Sequence, residues 1–318
     1  MTATPNPAAL LSPEELAHFR DRGYLLLRGV LSEGALASVQ RVMEQYVDEL
    51  ARRWTREGWI SDPCEELDFT RRYASLRAQL PPRFSNTWRR VLVSRALWSL
   101  WQEPALLGAA RSIVDDDVYA HGIWNGRPRT SHESMKVAWH QDAHYYSGYH
   151  SSHDPMVTCW IPFVPVDEAS GCLQIVPGSH RGGMVPAVRT GHDGQRTVAP
   201  QVLDNLAAAG MRPLSCAMEP GDVLLFDACM LHQSLHNRAA TVRWSLDLRY
   251  CRRDVGEQHG GPGYVCFAEE AGGPLGTYEE WAAQYAYDGT PLIPESTHDT
   301  VARLAEEFRI PVSELTEF

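Results

Sequence analysis

The sequence lacks several features that mark familiar classes of protein. It has no Cys-x-x-Cys pair, and its seven cysteines are scattered and odd in number. This distribution argues against a disulfide framework and against a thiolate zinc site. It favours reduced thiols in the cytoplasm. With a net charge of −11, the protein lacks the excess of positive charge that attracts nucleic acid or an anionic membrane surface. There is no signal peptide pattern and no apolar run of membrane-spanning length. We expect a cytoplasmic protein that binds neither nucleic acid nor membrane, and the sequence leaves its oligomeric state open.

The chain of 318 residues, 44% of them hydrophobic, is sufficient for one large core. We expect a disordered N-terminus over residues 1–10 and a single domain over residues 11–318. Residues 11–116 are predicted to be mostly helical, because Ser12-Pro13-Glu14-Glu15 is a capping box and residues 33–53 and 90–115 carry apolar side chains at helical spacing. Residues 251–318 are predicted to form a C-terminal elaboration with helices over 278–285 and 300–308.

The pattern changes after about residue 117. Short runs rich in β-branched and aromatic residues, separated by turns with Pro and Gly, predict strands. The predicted strands cover residues 24–27, 118–124, 137–142, 157–164, 173–176, 222–226 and 243–250. We therefore expect a mainly β fold with flanking helices, in which residues 117–250 form a jelly roll and residues 185–212 form a polar, lid-like insertion.

The most informative motif is Trp139-His140-Gln141-Asp142. On a β-strand, residues i and i+2 point to the same face, so His140 and Asp142 are expected to contact one metal ion. A second histidine would complete the two-histidine, one-carboxylate triad that binds Fe(II) and leaves coordination positions open. His232 and His236, which follow the predicted strand 222–226, are both candidates for this ligand.

The predicted strand 243–250 alternates polar and apolar residues. Arg243 and Ser245 lie on its polar face, where an arginine would hold a dicarboxylate through paired hydrogen bonds. A 2-oxo acid that chelates Fe(II) supplies two electrons for O₂ cleavage by decarboxylation, and its far carboxylate requires a fixed cation. The pattern favours an oxygenase of this kind. The alternatives are a metal-dependent dioxygenase or hydrolase that needs no 2-oxo acid, and a non-catalytic small-molecule binding protein on the same fold.

An ordered set of motifs resembles the phytanoyl-CoA dioxygenase family. The set comprises Trp139-His140-Gln141-Asp142, the segment 171–180 (GCLQIVPGSH), Glu219-Pro220-Gly221-Asp222, His232-x-Ser234-x-x-Asn237 and Arg243. With an N-terminal segment over residues 11–31, the resemblance covers roughly residues 11–250. It implies an oxygenase on a double-stranded β-helix that uses Fe(II), 2-oxoglutarate and O₂.

The resemblance also implies roles for individual residues. It identifies His140, Asp142 and His232 as the iron ligands, and Arg243, eleven residues after His232, as the arginine that binds 2-oxoglutarate. This spacing favours His232 over His236. The residues expected beside the same cosubstrate are Ser234, Ser245 and Trp160. The family's upstream lysine has two possible counterparts, Lys136 and Arg127. Substrate contacts are predicted for Lys136, Arg127, His144, Tyr145 and Gln174.

The reaction that the resemblance implies is oxidation of a small organic molecule, most simply its hydroxylation, with release of succinate and CO₂. Related halogenases have a small residue in place of the carboxylate ligand, so Asp142 favours oxygen transfer. The expected substrate is a secondary metabolite or its precursor.

Overall fold

We describe the fold from a computed structural model. It describes residues 11–80, 88, 90–132, 137–146, 155–190, 195–259 and 262–285. The predicted disorder of residues 1–10 and the predicted helix over residues 300–308 lie outside the described residues.

The helices lie mainly in the first third of the chain, as predicted. In the described residues the α-helices are α1 Pro13–Arg22, α2 Glu33–Arg56, α3 Arg72–Ala78, α4 Arg95–Trp101, α5 Pro104–Val114, α6 Pro200–Ala208, α7 Arg253–His259 and α8 Tyr278–Ala283. The predicted capping box is present, because the Ser12 hydroxyl accepts from Glu15 N and the Glu15 carboxylate accepts from Ser12 N. The helical segment 90–115 is divided, because Ser94 caps α4 and Pro104 begins α5. None of these helices is both long and apolar enough to cross a membrane.

The strands form two main antiparallel sheets. In the described residues the strands are β1 Tyr24–Leu27, β2 Val118–His121, β3 Asn125–Gly126, β4 Met156–Pro162, β5 Leu173–Ile175, β6 Ala187–Thr190, β7 Gln195–Val198, β8 Leu214–Cys216, β9 Val223–Asp227, β10 His232–Ser234, β11 Ser245–Arg252 and β12 Gly263–Phe267. The large sheet has the order β1-β9-β4-β11-β2-β12, with β3 paired to β11. The small sheet has the order β10-β5-β8.

The two main sheets form the predicted jelly roll, and residues from both of them line one internal cavity. Every residue of β4 is buried, and β11 is buried up to its last residue, because these two strands are central in the large sheet. The large sheet extends beyond the predicted core of residues 117–250, since β1 pairs with β9 and β12 pairs with β2. The division of the single domain into the predicted parts stays a prediction.

The predicted strand over residues 137–142 is wrong. His140 makes only an isolated β-bridge with His232, and Asp142 begins a 3₁₀ turn, Asp142–Tyr145. Beyond the His140–His232 bridge the register slips, because Ser234 N donates to Val137 O and not to Ala138 O. A continuous ladder with one neighbouring strand therefore does not form.

The predicted insertion over residues 185–212 contains the hairpin of β6 and β7, followed by α6. Apolar side chains of this segment, including Val198, Leu203 and Leu206, pack against Val176 and Leu231 of the jelly roll. The insertion is thus anchored to the core, close to the backbone of the Trp139–Asp142 motif. Its role as a lid stays a prediction.

All seven cysteines are buried and free of disulfides. Burial raises the pKa of the Cys172 thiol to about 11 and the pKa of the Cys216 thiol to about 12. These thiols are therefore protonated at neutral pH, as expected for small core residues.

Candidate metal centre

Three buried side chains converge between the two sheets. One ligand atom from each of His140, Asp142 and His232 lies within 4.8 Å of the others. Asp142 Oδ1 is 3.6 Å from His140 Nε2 and 3.8 Å from His232 Nε2. The two histidines are held side by side by reciprocal backbone hydrogen bonds, with N···O distances of 3.0 and 3.1 Å. Among the described residues, this is the group whose histidine, cysteine and carboxylate atoms come close enough to hold a metal ion.

The histidine tautomers are set by the backbone. His140 Nδ1 lies 2.9 Å from Ala138 O, and His232 Nδ1 lies 3.0 Å from Met230 O. Because a carbonyl oxygen only accepts, each Nδ1 donates, and in the neutral ring the lone pair is then on Nε2, the nitrogen nearer to Asp142. Burial, together with the neighbouring His140, lowers the pKa of His232 to about 3, so the His232 imidazole is neutral at physiological pH. Both rings are thus ready to act as nitrogen ligands.

The Asp142 carboxylate has one restrained oxygen and one available oxygen. Asp142 Oδ2 accepts from Thr158 Oγ1 at 2.9 Å and from Arg249 Nε and Nη2 at 3.1 and 2.8 Å. These donors leave Oδ1 facing the two imidazoles. Burial alone would raise the pKa of Asp142, but the charge of Arg249 together with the neighbouring His140 and His232 outweighs it and holds the pKa well below its usual value. The side chain is therefore an anionic ligand with a fixed orientation.

A chain of alternating charges continues from Asp142 along the cavity wall. Arg249 Nη2 also lies 3.4 Å from Asp247 Oδ2, and Arg127 Nε donates to the same oxygen at 2.9 Å. Burial acts to raise the pKa of Asp247, but Arg127 and Arg249 together lower it. Both carboxylates of this chain are thus ionised at neutral pH, and each is balanced by an arginine.

The candidate ligands lie in the wall of a small cavity. The described residues that line it are Arg127, Val137, His140, Asp142, Thr158, Trp160, Leu173, Phe226, His232, Ser234, Asp247 and Arg249. Two polar residues of its wall, Thr158 and Arg249, contact the candidate ligand Asp142 directly.

The structure brings three of the four predicted cosubstrate residues together. Arg243 is 1% exposed, and its Nη1 donates to Ser234 Oγ at 2.9 Å and to Gly171 O at 3.3 Å. Its guanidinium carbon lies 5.5 Å from the centre of the Trp160 ring. Ser245 is also buried, and its hydroxyl donates to the backbone oxygen of Arg127 at 3.5 Å. The structure places Arg243, Ser234 and Trp160 beside one another, and the cosubstrate roles of all four residues stay predictions.

The predicted substrate residues are more scattered. Arg127 lines the cavity, and Lys136 lies outside the described residues. His144 Nε2 lies 2.8 Å from Val185 O, and Tyr145 OH accepts from Arg196 N at 3.0 Å, so both contact the insertion.

The structure does not bring Gln174 to the cavity. The side chains of β5 alternate, so Leu173 faces the cavity and Gln174 faces away. Gln174 instead donates to Ser215 Oγ and accepts from Gln233 Nε2.

Sequence reasoning gave no role to Thr158, Asp247 or Arg249, although all three line the cavity. Asp247 and Arg249 could have been found from the polar alternation of residues 243–249. Charged side chains on one face of a central strand are buried and therefore need partners inside the fold. Thr158 gave no such signal, since a threonine is ordinary in a strand.

Comparison with known proteins decides the family. A sequence model of the phytanoyl-CoA dioxygenase family matches residues 19–245. The chain belongs to the phytanoyl-CoA dioxygenase family. This phytanoyl-CoA dioxygenase family protein is 27% identical over 249 residues to 1-deoxypentalenic acid 11-beta-hydroxylase of Streptomyces arenae. The match covers 74% of this chain and 80% of that protein.

Two solved structures show the fold of this phytanoyl-CoA dioxygenase family protein. EctD from S. alaskensis with 2-oxoglutarate and 5-hydroxyectoine is 19% identical, with a TM-score of 0.51 over 80% of this chain and 79% of that chain. The epimerase SnoN in complex with Fe³⁺, alpha ketoglutarate and nogalamycin RO is also 19% identical, with a TM-score of 0.50 over 89% of this chain and 93% of that chain. The predicted jelly roll is thereby confirmed.

The donor set of this phytanoyl-CoA dioxygenase family protein fits Fe(II). Two imidazole nitrogens and one carboxylate oxygen point to a common centre, which is the ligand set of the facial triad. The hydrogen bonds at both Nδ1 atoms and at Asp142 Oδ2 are the outer contacts that orient such ligands.

Proposed function

We propose that this protein is an Fe(II)- and 2-oxoglutarate-dependent dioxygenase that hydroxylates a small organic molecule. The observation that carries the proposal is the convergence of His140, Asp142 and His232 at one end of a cavity whose wall also contains Ser234 and Trp160, next to Arg243. Bound Fe(II) with 2-oxoglutarate and O₂ supplies the oxidising equivalents for insertion of oxygen into a C–H bond, with release of succinate and CO₂.

The iron ligands in this proposal are His140 and His232 through Nε2 and Asp142 through Oδ1. Thr158 and Arg249 hold the other Asp142 oxygen and thereby keep the carboxylate from rotating. The protein contributes a preorganised site in which His232 is already neutral and Asp142 already ionised before the metal binds.

The cosubstrate in this proposal lies between the iron and Arg243. Arg243 pairs with the far carboxylate of 2-oxoglutarate, and the Ser234 hydroxyl, which contacts Arg243 Nη1, adds a hydrogen bond to the same group. Trp160 packs beside it and excludes water from this end of the cavity.

The substrate in this proposal is a secondary metabolite or its precursor, free or attached to a carrier. The hydroxylase of Streptomyces arenae acts on 1-deoxypentalenic acid and SnoN is bound to nogalamycin RO, so two similar proteins handle natural products. We further propose that the enzyme works in the cytoplasm, which is supported by its seven buried, free thiols.

The test is succinate formation from 2-oxoglutarate. The purified protein with Fe(II) and O₂ is expected to form succinate, faster when a panel of natural-product precursors includes a substrate, and omission of either Fe(II) or O₂ is expected to stop it. Oxidation of a panel compound without any need for 2-oxoglutarate would instead identify a dioxygenase of the alternative type. Absence of succinate together with absence of 2-oxoglutarate binding would refute the proposal.

Arg243 provides a more specific expectation. Arg243→Gln removes a buried cation that pairs with the far carboxylate, so the concentration of 2-oxoglutarate at half-maximal succinate formation is expected to increase about 10- to 150-fold. Arg238→Gln is the matched control, because Arg238 lies on an exposed loop before β11. Circular dichroism checks that both variants are folded. An unchanged 2-oxoglutarate requirement in Arg243→Gln would assign the carboxylate to another cation.

A further inference from the structure

The Asp247 carboxylate has an unequal distribution of hydrogen bonds. Asp247 Oδ2 accepts from Arg127 Nε at 2.9 Å and lies within 3.5 Å of Arg249 Nη2 and Asn125 Nδ2. Asp247 Oδ1 is buried and has no hydrogen-bond partner among the described residues. Asp247 is 4% exposed and lines the cavity. The pattern is that of Asp142, in which arginine donors hold one oxygen and leave the other available.

A buried carboxylate oxygen without a donor is unfavourable, and proteins rarely contain one without a functional reason. Because Asp247 lies in the cavity wall, a hydrogen-bond donor on a bound molecule is the expected partner of Oδ1. Asp247 pairs with Trp160 across β11 and β4, so its side chain lies beside a proposed cosubstrate residue and in the same cavity as the iron ligands.

The charges of the site indicate what kind of donor fits. Asp142 and Asp247 are balanced by Arg249 and Arg127, whereas Fe(II) and Arg243 would together bring three positive charges against the two negative charges of 2-oxoglutarate. A cationic donor such as an ammonium group would add to this excess of positive charge in a buried site, which is costly in a low dielectric. A neutral hydroxyl group satisfies Asp247 Oδ1 without changing the charge balance.

We propose that Asp247 Oδ1 is a specificity-determining acceptor that binds a hydroxyl group of the substrate, so the enzyme acts on molecules that already carry an alcohol. This proposal rests on the proposed function and names the substrate class of the same cavity. Arg127, Arg249 and Asn125 keep the carboxylate in the orientation that presents Oδ1. An acceptor of this kind discriminates against analogues that lack the donor, because binding them leaves the buried oxygen unpaired.

The substitution Asp247→Asn converts this acceptor into a donor. The carboxamide oxygen has to occupy the position of Oδ2, because the donors of Arg127 and Arg249 point there. The amide nitrogen then takes the position of Oδ1 and presents N–H groups to the cavity. The variant is nearly identical in shape, so its selectivity changes through hydrogen-bond polarity.

The experiment uses cyclohexanol and cyclohexanone, which are similar in size but differ in the hydroxyl donor. Each probe is titrated against the protein loaded with Fe(II) and 2-oxoglutarate under argon, and iron-dependent broadening of the probe's proton NMR signals reports binding beside the metal. The wild type is expected to bind cyclohexanol about tenfold or more tightly than cyclohexanone, as for a hydrogen bond to a charged group. In Asp247→Asn the preference is expected to reverse in favour of the ketone.

Asp116→Asn is the matched control, since Asp116 is exposed and the same chemical change there is expected to leave the wild-type ratio intact. A wild-type ratio near one, an identical ratio in wild type and Asp247→Asn, or no binding of either probe would overturn the proposal. If Asp247→Asn does not fold, the wild-type ratio alone decides. Succinate formation by the wild type is measured in parallel. Succinate without hydroxyl preference refutes this inference alone, whereas no succinate and no 2-oxoglutarate binding refute the proposed function.

Discussion

Replacement of His232 with alanine is expected to lower the affinity for Fe(II) by more than about 100-fold, because loss of an outer contact alone costs 10- to 100-fold and here a ligand atom itself is removed. In the wild type His232 Nε2 and Asp142 Oδ1 are 3.8 Å apart, which is too far for a direct hydrogen bond. This separation leaves room for an ion between them. The variant is expected to keep its fold, because the β-bridge between residues 140 and 232 is made by backbone atoms.

His236→Ala is the matched control for this prediction. His236 lies four residues further along and was the competing candidate for the same role, but the metal-binding group of the described residues contains His232. Equilibrium dialysis against Fe(II) under argon, followed by metal analysis, measures both variants. Loss of iron from His236→Ala with retention in His232→Ala would mean that the ligand assignment is wrong.

Replacement of Arg249 with methionine is expected to lower the free energy of unfolding by about 3–5 kcal/mol, as for removal of one partner from a buried ion pair. Arg249 is 3% exposed and contacts the carboxylates of Asp142 and Asp247. Without it, Asp142 loses its arginine partner and Asp247 keeps only Arg127. The methionine fills a similar volume, so the loss comes from uncompensated charge rather than from a cavity.

Arg252→Met is the control on the same strand. Arg252 pairs with the half-exposed Asp254, and a surface pair of this kind contributes at most about 1 kcal/mol. Urea unfolding of the metal-free proteins, followed by circular dichroism, compares the two variants. Equal losses of stability in Arg249→Met and Arg252→Met would show that the charge chain in the cavity wall does not stabilise the fold.

The candidate site was predictable from the sequence to the extent that its residues form motifs. The spacing between His232 and Arg243 chose between two histidines, and the structure places the chosen one beside Asp142. The expectation that a β-strand places His140 and Asp142 on one face was nevertheless wrong. A 3₁₀ turn that begins at Asp142 brings the carboxylate to the histidines. Two different backbone geometries satisfy the same short motif, and the local sequence does not distinguish them.

The strands of the jelly roll were predictable because their apolar and β-branched runs are bounded by turns. Their pairing was not, since β1 from the N-terminal part joins the sheet of β9 through contacts about two hundred residues apart. Gln174 shows a related limit. Its motif lies beside the cavity, but the face of β5 that it occupies depends on register, and a shift of one residue exchanges the two faces.

The burial of all seven thiols has a consequence for how this protein behaves in solution. The thiolate is the reactive form of cysteine, and a raised pKa combined with burial keeps Cys172 and Cys216 almost entirely protonated. Alkylating reagents can therefore reach these sulfurs only when the jelly roll opens. The rate at which the seven native cysteines are alkylated therefore reports how often the fold opens. They are distributed from the helical part to β12. Burial also shields the seven thiols from oxidants that form at the metal when the enzyme reacts with O₂ in the absence of substrate.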